Sequence, residues 1–447
     1  MFSSLIKYYK TGEDKPLLPK QKAIDKLYKK KRLSVILSVI FGYGSFYICR
    51  LSLSVAKEPM IQTGVINAEQ LGIIGSVLLY VYALGKFTNG FIADRANIRK
   101  LMSTFLFVSA LINILFGLTS SFFLFLILWA LNGWFQSGGS APSVVSICQW
   151  FSNKERGTHY GLWASSHNIG EGITFAVTAV IISTWGWRMG FVVPGLIDLI
   201  VAAVLFFTLA DRPQTYGLPN VADFKKDYSA GKPSTESVKK LHLMVLKNRY
   251  VWILGLSSAF MYVARYAIHS WGPLYFEEIK HYSLATSGLM IGGGTIFGLV
   301  GAISSGFISD KLFNSRRNVP TLLYGLLLIA SLSVLFLNPP GNETMDIIAL
   351  GGFEFSIGGL IVFLAGLIAI DFIPKKAAGA VKGVIGLFSY FGAATQDWIS
   401  GLLIQSGETV VNGKTIYNFN YAFYFWIGAA VLSMLLALLV WNVKPQE

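Results

Sequence analysis

The chain has 447 residues, of which 53% are hydrophobic and 13% are charged, and its formal net charge is +14. Soluble domains carry about 25% charged residues, so this composition excludes an ordinary soluble protein and indicates a membrane protein. Cys49 and Cys148 both lie in apolar segments and do not indicate a disulfide framework. Residues 1–33 are polar and lysine-rich, so we expect a basic N-terminal segment and no cleavable signal peptide.

Twelve apolar stretches follow, each of roughly the 20 residues that a helix needs to cross a bilayer. They form one bundle of six over residues 34–210 and another over 250–443, joined by a polar linker at 211–249. Six spans per half predict an all-α membrane protein of twelve transmembrane helices in two parallel repeats. The predicted spans, numbered 1 to 12, are 34–56, 70–93, 100–119, 122–149, 158–184, 189–209, 250–276, 284–309, 319–338, 345–371, 377–405 and 420–443.

Basic residues are distributed unequally between the two sides of this map. Thirty of the 37 lysines and arginines lie in the two termini, the linker and the loops on their side. The positive-inside rule therefore predicts that both termini and the linker are cytoplasmic. The basic charge is explained by topology, so we expect a lipid bilayer as partner and no nucleic acid. The four basic residues predicted on the opposite side are Lys57, Arg188, Lys280 and Lys414.

Arg50 and Arg265 lie near the middle of spans 1 and 7, 215 positions apart. An arginine at the centre of a membrane helix costs roughly 2.5–3.5 kcal/mol or more, so its presence indicates a function. Their matching positions predict two guanidinium groups facing one central cavity, and a guanidinium group is well suited to binding phosphate. The alternative is that each arginine pairs with an intramembrane carboxylate. The carboxylates available for this are Glu171, Asp198, Glu354 and Asp397.

Two further titratable residues are candidates for the same site. Lys86 in span 2 either adds a third positive charge or extends toward the nearer end of its helix. His167 in span 5 has polar neighbours and can titrate in the range of the second phosphate pKa of about 6, so we expect it to contact the substrate. Tyrosines in the same spans are candidates for lining the cavity, although ordinary helix packing explains any single one equally well. These are Tyr43, Tyr47, Tyr82, Tyr266 and Tyr390.

A repeated motif ends spans 2 and 8. Gly-Phe-Ile-Ala-Asp-Arg at 90–95 is echoed by Gly-Phe-Ile-Ser-Asp-Lys at 306–311. The charged pairs Asp94–Arg95 and Asp310–Lys311 are expected to act in gating, at contacts that break during a conformational cycle, and not to bind substrate.

These residues resemble the organophosphate:phosphate antiporter family of the major facilitator superfamily, over nearly the whole chain. The resemblance is carried by Tyr47-x-x-Arg50, Tyr82-x-x-x-Lys86-Phe, His167-Asn-Ile-Gly and Arg265-Tyr-x-x-x-x-Trp-x-Pro, together with the segments at 211–219 and 374–379. It implies the major facilitator fold in a bacterial inner membrane. It also implies that Arg50 and Arg265 bind phosphate, that Lys86 and His167 lie in the site, and that Tyr43, Tyr47, Tyr82 and Tyr390 line its cavity.

The family includes hexose-phosphate and glycerol-3-phosphate transporters and a sugar-phosphate sensor. We therefore expect a monomeric carrier that exchanges a sugar phosphate, with glucose 6-phosphate as the first candidate, for inorganic phosphate. Glycerol-3-phosphate transport and membrane sensing remain open. Proton-coupled uptake through Glu171 or Asp397 also remains open, because both carboxylates depart from the family pattern. Glu171 replaces an expected glycine, and Asp397 has no lysine near it in sequence. We expect no enzyme activity, cofactor or metal, since neither a catalytic triad nor metal-ligand spacing occurs.

Overall fold

The computed structural model of the chain describes residues 7–93, 95–227, 238–314, 316–364, 368, 378–411 and 414–441. Within these residues, ten helical segments are long and apolar enough to cross a membrane. The helices of spans 5 and 11 are also long, at 33 and 29 residues, but they carry more polar side chains. The described chain is therefore an all-α membrane protein of twelve spanning helices, as predicted.

The first half contains spans 1 to 6. Its first helix begins well before the apolar stretch, because lysines and other good helix formers at 21–33 continue the helix into water. The same helix runs past residue 56, so Lys57, predicted to lie in a loop, is a buried helical residue. Span 4 is interrupted at residues 137–139. The helices are Gln21–Gln62, Ala68–Ala93, Ile98–Leu118, Phe122–Gln136 with Ser140–Trp150, Asn153–Trp185 and Met189–Thr208.

The second half contains spans 7 to 12 after short helices at Val221–Lys225 and Val238–Lys247. A π-helical segment, Ile308–Leu312, ends span 8. A two-stranded antiparallel hairpin, β1 (Thr409–Val411) and β2 (Lys414–Ile416), connects spans 11 and 12. The helices are Arg249–Glu278, Leu284–Phe307, Asn318–Leu337, Glu343–Val362, Ala378–Ser406 and Asn420–Leu438.

The two halves meet through spans 2 and 11, spans 5 and 8, and spans 1 and 7. Glycines permit the closest approaches. A methyl group at Gly72 in span 2 would lie 2.6 Å from the carbonyl oxygen of Asp397 in span 11, and one at Gly172 in span 5 would lie 2.8 Å from the carbonyl oxygen of Gly292 in span 8. Small residues at such positions let membrane helices pack backbone against backbone.

The first and last described residues lie at one end of the bundle, called here the terminal end. Lys10 pairs with Ala96 after span 2, and the carbonyl of Trp441 accepts a hydrogen bond from Asn318 at the start of span 9. The opposite end, called here the far end, holds Lys57 and the start of span 2. There, Gln405 of span 11 accepts a hydrogen bond from the backbone N–H of Ala68 at 3.1 Å, so the halves are joined at the far end.

The N-terminal arm, residues 7–20, and the start of the linker pack together against the first half at the terminal end. Asp211 Oδ2 accepts hydrogen bonds from the Thr11 hydroxyl at 3.0 Å, the backbone N–H of Gly12 at 3.1 Å and the Asn97 amide at 3.0 Å. Nearby, Glu155 at the start of span 5 pairs with Arg32. Partial burial opposes ionisation of Glu155, but the hydrogen bond from Arg32 lowers its pKa below the usual range.

Candidate functional site

Arg50 is buried in span 1, and part of its guanidinium group is unpaired. Its Nε donates a hydrogen bond to Gln136 Oε1 at 3.2 Å. The guanidinium carbon lies 4.4 Å from the ring centre of Tyr47 and 4.5 Å from that of Tyr82. Its Nη2 is buried without a hydrogen-bond partner among the described residues. Because a buried unpaired donor costs about 1–3 kcal/mol, more if charged, this nitrogen indicates a place for a ligand that accepts hydrogen bonds.

The acceptor for Arg50 comes from the break in span 4. Gln136 is the last residue before that break, and its Nε2 donates to Ser109 Oγ at 2.8 Å. Ser109 in turn donates to Asn132 Oδ1 at 2.6 Å. Since the amide nitrogen of Gln136 is engaged by Ser109, its oxygen faces Arg50. These polar residues of spans 3 and 4 were not predicted as part of the site, and together they fix the position of Arg50.

Arg265 lies in the matching place in span 7. Its guanidinium carbon is 5.6 Å from the ring centre of Tyr262 and 5.7 Å from that of Tyr266. Nη2 lies 3.3 Å from Glu171 Oε2 in span 5, whereas Nε is buried and unpaired within the described chain. Arg265 thus joins the two halves through Glu171 and keeps one donor available.

Tyrosines connect the two arginines across the boundary between the halves. The ring of Tyr82, which contacts Arg50, lies 4.8 Å from that of Tyr390, and Tyr390 lies 5.7 Å from Tyr262, which contacts Arg265. The hydroxyl of Tyr82 is buried and has no partner among the residues described. The two guanidinium groups therefore border one aromatic-lined region that contains unpaired hydrogen-bond donors from both halves.

Lys86 extends toward this region. Its Nζ lies 4.7 Å from the ring centre of Tyr390 and 5.4 Å from that of Tyr82. Lys86 therefore lies beside rings that border the arginines, and its role as a third positive charge for the substrate stays a prediction. The structure thus brings Arg50, Lys86 and Arg265 around a common set of tyrosine rings.

His167 and Tyr43 border the same region from the first half. The His167 ring is 6.1 Å from Tyr47, and its Nδ1 hydrogen-bonds the carbonyl oxygen of Ala164 on its own helix. Nε2 is then the ring nitrogen left for a ligand. The Tyr43 ring lies 5.7 Å from that of Tyr47 and 4.9 Å from that of Trp163, so it packs beside the same region from span 1.

The four intramembrane carboxylates have different partners. Only Glu171 pairs with an arginine, and it also lies 2.6 Å from His269 Nδ1. Glu354 lies 2.7 Å from Nε2 of the same His269. Arg50 has no carboxylate partner within the described residues. The alternative that each arginine pairs with an intramembrane carboxylate therefore holds for Arg265 but not for Arg50. His269 lies one helical turn after Arg265 and was not among the predicted site residues, because its link to Glu354 depends on tertiary contacts. Asp198 accepts a hydrogen bond from Ser45 inside the first half.

Asp397 pairs with a lysine from the other half at the far end. Lys57 Nζ lies 2.8 Å from Asp397 Oδ1 and donates to Ser270 Oγ at 2.7 Å. Ser270 donates to the same carboxylate oxygen at 2.6 Å, and Lys57 also lies over the Trp271 ring at 3.5 Å. Both charges are nearly inaccessible, with 1% and 4% of their side chains exposed. Lys57 lies seven residues after Arg50, on the same helix face, but this spacing does not indicate which carboxylate that face meets.

The predicted gating motifs are only partly described. Asp94 lies outside the described residues, and the side chain of Asp310 is likewise outside them. Arg95 is exposed in the turn after span 2, and Lys311 is exposed in the π-helical segment. A gating role for these four residues stays a prediction.

The chain matches known proteins over nearly its full length. Residues 35–395 match the family model described as Major Facilitator Superfamily. A probable hexose phosphate transport protein of Chlamydia muridarum is 34% identical, with 95% of this chain and 94% of that protein covered. The membrane sensor protein UhpC of Salmonella typhimurium is 33% identical (88% and 90% covered), and the glycerol-3-phosphate transporter of Bacillus subtilis is 33% identical (94% of both covered).

Solved structures agree with the fold. A bacterial homologue of the human lysosomal transporter Spinster, in an inward-facing and unoccupied conformation, superposes with a TM-score of 0.75 at 16% identity, covering 93% of this chain and 97% of that one. The nucleoside transporter NupG gives a TM-score of 0.68 at 11% identity, covering 92% and 100%. Together with the relatives above 30% identity, these matches indicate a non-enzymatic membrane transport protein. The chain belongs to the major facilitator superfamily and, within it, to the organophosphate:phosphate antiporter family.

Proposed function

We propose that the chain is a secondary transporter that exchanges a sugar phosphate, with glucose 6-phosphate as the first candidate, for inorganic phosphate. One observation carries the proposal: Arg50 and Arg265, one from each half, each keep a buried guanidinium nitrogen without a partner in the described chain, around a shared set of tyrosines. An oxyanion with several acceptor oxygens can satisfy both groups at once. Lys86 beside Tyr390 adds charge suited to a dianion.

The fold supports alternating access as the mechanism. In transporters built from parallel repeats, the substrate binds near the midplane between the halves, and the halves rock around it. Two features support this mechanism: Arg50 and Arg265 lie on the two sides of the boundary between the halves, and the far end is joined by the Lys57–Asp397 pair and by the packing of span 2 on span 11. With both termini in the cytoplasm of a bacterium, as the basic residues predict, the region between the halves would then be reached from the cytoplasm. Exchange needs no ATP, because the phosphate gradient supplies the free energy.

The named relatives support a phosphorylated substrate. Two of them are named as hexose phosphate and glycerol-3-phosphate transport proteins, so the proposal extends a shared substrate class to this chain. Glycerol 3-phosphate is the first alternative substrate. A sensor is the second candidate function, because a membrane sensor protein is similar to this chain at 33% identity.

The test is exchange in vesicles. Purified protein, reconstituted as a monomer into liposomes loaded with inorganic phosphate, should take up labelled glucose 6-phosphate, while liposomes loaded with sulfate or chloride should not. External glycerol 3-phosphate and 3-phosphoglycerate, tested as competitors, rank the substrates. The two competitors are also tested in labelled form. If none of the three phosphate compounds is taken up, the transport proposal is wrong. Tight binding of glucose 6-phosphate without exchange favours the sensor.

A further inference from the structure

Three titratable side chains form a line behind Arg265. His269 in span 7 lies between Glu171 in span 5 and Glu354 in span 10, with its Nδ1 2.6 Å from Glu171 Oε1 and its Nε2 2.7 Å from Glu354 Oε1. All three residues are at most 3% exposed. Glu171 belongs to the first half and the other two belong to the second, so the line crosses the boundary between the halves.

The distances determine how many protons this line holds. An ionised carboxylate only accepts hydrogen bonds, and a neutral imidazole donates from one nitrogen only. A neutral His269 ring between two ionised carboxylates could therefore make one of the two short contacts as a hydrogen bond, but not both. Making both requires one additional proton in the group of three side chains. The count is the same whether that proton resides on the ring or on a carboxylate, since the three groups titrate together.

Glu171 also competes with the substrate for Arg265. Its second oxygen, Oε2, accepts from Arg265 Nη2 at 3.3 Å, which is long for a charge-assisted hydrogen bond. A phosphate group presents more acceptor oxygens and more charge to the same guanidinium group. Binding of phosphate at Arg265 therefore weakens or removes the cationic partner of Glu171.

The other groups around Glu171 do not replace that lost partner. Tyr47 of span 1 and His167 of its own helix are close enough to interact electrostatically with it, but neither supplies a hydrogen bond to it among the described residues. Span 8, packed against Gly172, presents Thr295, which does not titrate. His269 is already shared with Glu354. Once phosphate binds Arg265, the positive charge left beside Glu171 is that of His269, which Glu354 shares. The protonated form of Glu171 is then favoured, because burial disfavours the charged form of a carboxylate.

We propose that Glu171 takes up a proton when a phosphate-bearing anion binds Arg265, so that each loaded passage carries a proton together with the anion. This rests on the proposed transport function and adds a proton-binding site to it. The proton comes from an acid in the surrounding solution, hydronium or the buffer, which is left as its conjugate base. It joins the carboxylate freed from Arg265, and no other covalent bond changes. By linkage, the proton strengthens anion binding as much as the anion strengthens proton binding. When the anion leaves, Glu171 returns to Arg265 and the proton is released.

The test counts protons directly. Inorganic phosphate is titrated by calorimetry into the full chain in lipid nanodiscs at one pH, in two buffers with different ionisation enthalpies. Wild type should take up about one more proton per bound anion than Glu171→Gln does, because only Glu171 gains one on binding. Changes in the ionisation of phosphate itself are common to both proteins and cancel in the difference. Asp198→Asn, which removes a buried carboxylate away from the site, should keep the wild-type number.

Equal proton numbers for wild type and Glu171→Gln overturn the proton site and leave the transport proposal standing. Absence of phosphate and sugar-phosphate binding by wild type overturns both. A second measurement needs only the wild-type chain. Phosphate-induced infrared difference spectra should show a new protonated-carboxyl band that shifts in D₂O, and a spectrum without this band contradicts the inference.

Discussion

Arg50→Lys is expected to lower the rate of sugar-phosphate exchange by about 10- to 100-fold while the protein remains folded. Lysine keeps the charge but cannot bond Gln136 through Nε and reach a phosphate with a second nitrogen at the same time. Loss of one hydrogen bond to a charged group costs about 1.5–3 kcal/mol, which corresponds to that range of rates. The measurement is kcat/KM for glucose 6-phosphate exchange in phosphate-loaded liposomes.

The matched control for this change is Arg188→Lys. Arg188 bonds the carbonyls of Gly117 and Thr119 at 2.9 Å near the far end, outside the site. The Arg188→Lys variant should lose much less exchange activity than Arg50→Lys, although the chemical substitution is identical. Exchange at wild-type rates in Arg50→Lys would remove this arginine from the substrate site.

Lys57→Ala is expected to shift the conformational equilibrium away from the state in which the far end is joined. It leaves Asp397 buried, with Ser270 as its remaining side-chain hydrogen-bond donor among the described residues. Removing one partner of a buried ion pair costs about 3–5 kcal/mol, enough to change a two-state population by 100-fold or more. Spin labels at Asn67 and Glu408, one in each half near the far end, should report a longer distance in Lys57→Ala. Cys49 and Cys148 are replaced beforehand to make the labelling specific.

The double variant Lys57→Met/Asp397→Leu separates charge from packing. Because it removes both members of the pair, no uncompensated charge remains, and replacing a buried pair by apolar residues is often neutral or stabilising. The label distance should return toward that of the wild type. If Lys57→Ala and wild type give the same distances, the pair does not hold the far end closed.

The fold could be predicted from the sequence because the underlying signals are local, and the same kind of signal selects the candidate residues at the centre of the site. Long apolar stretches identify membrane helices, and Arg50 and Arg265 are conspicuous because a charge in an apolar segment is costly. Their equivalent depth followed from the internal repeat. Tyr82 and Tyr390 were assigned to the cavity by family resemblance, and their rings do lie between the two arginines in the structure.

The partners of the other buried charges could not be predicted, because they come from distant parts of the chain. Lys57 lies at the edge of an apolar stretch, where a basic residue is typical of a loop, and its partner Asp397 is 340 positions away. Glu354 meets His269 only because spans 7 and 10 pack together. Sequence periodicity places a side chain on a helix face, but tertiary packing decides which other helix that face meets.

The central claim about this protein is that Arg50 and Arg265 bind the same phosphate, and a binding measurement tests it directly. Equilibrium binding of labelled inorganic phosphate is measured for wild type, Arg50→Gln, Arg265→Gln and the double variant. If both guanidinium groups bind one phosphate, each single variant should lose most of the phosphate affinity. The double variant should lose much less than the product of the two fold-losses, because the free-energy effects of substitutions at residues that bind the same ligand are not additive. Independent losses that multiply, or a single variant that binds phosphate as wild type does, would contradict a shared phosphate site between the two halves.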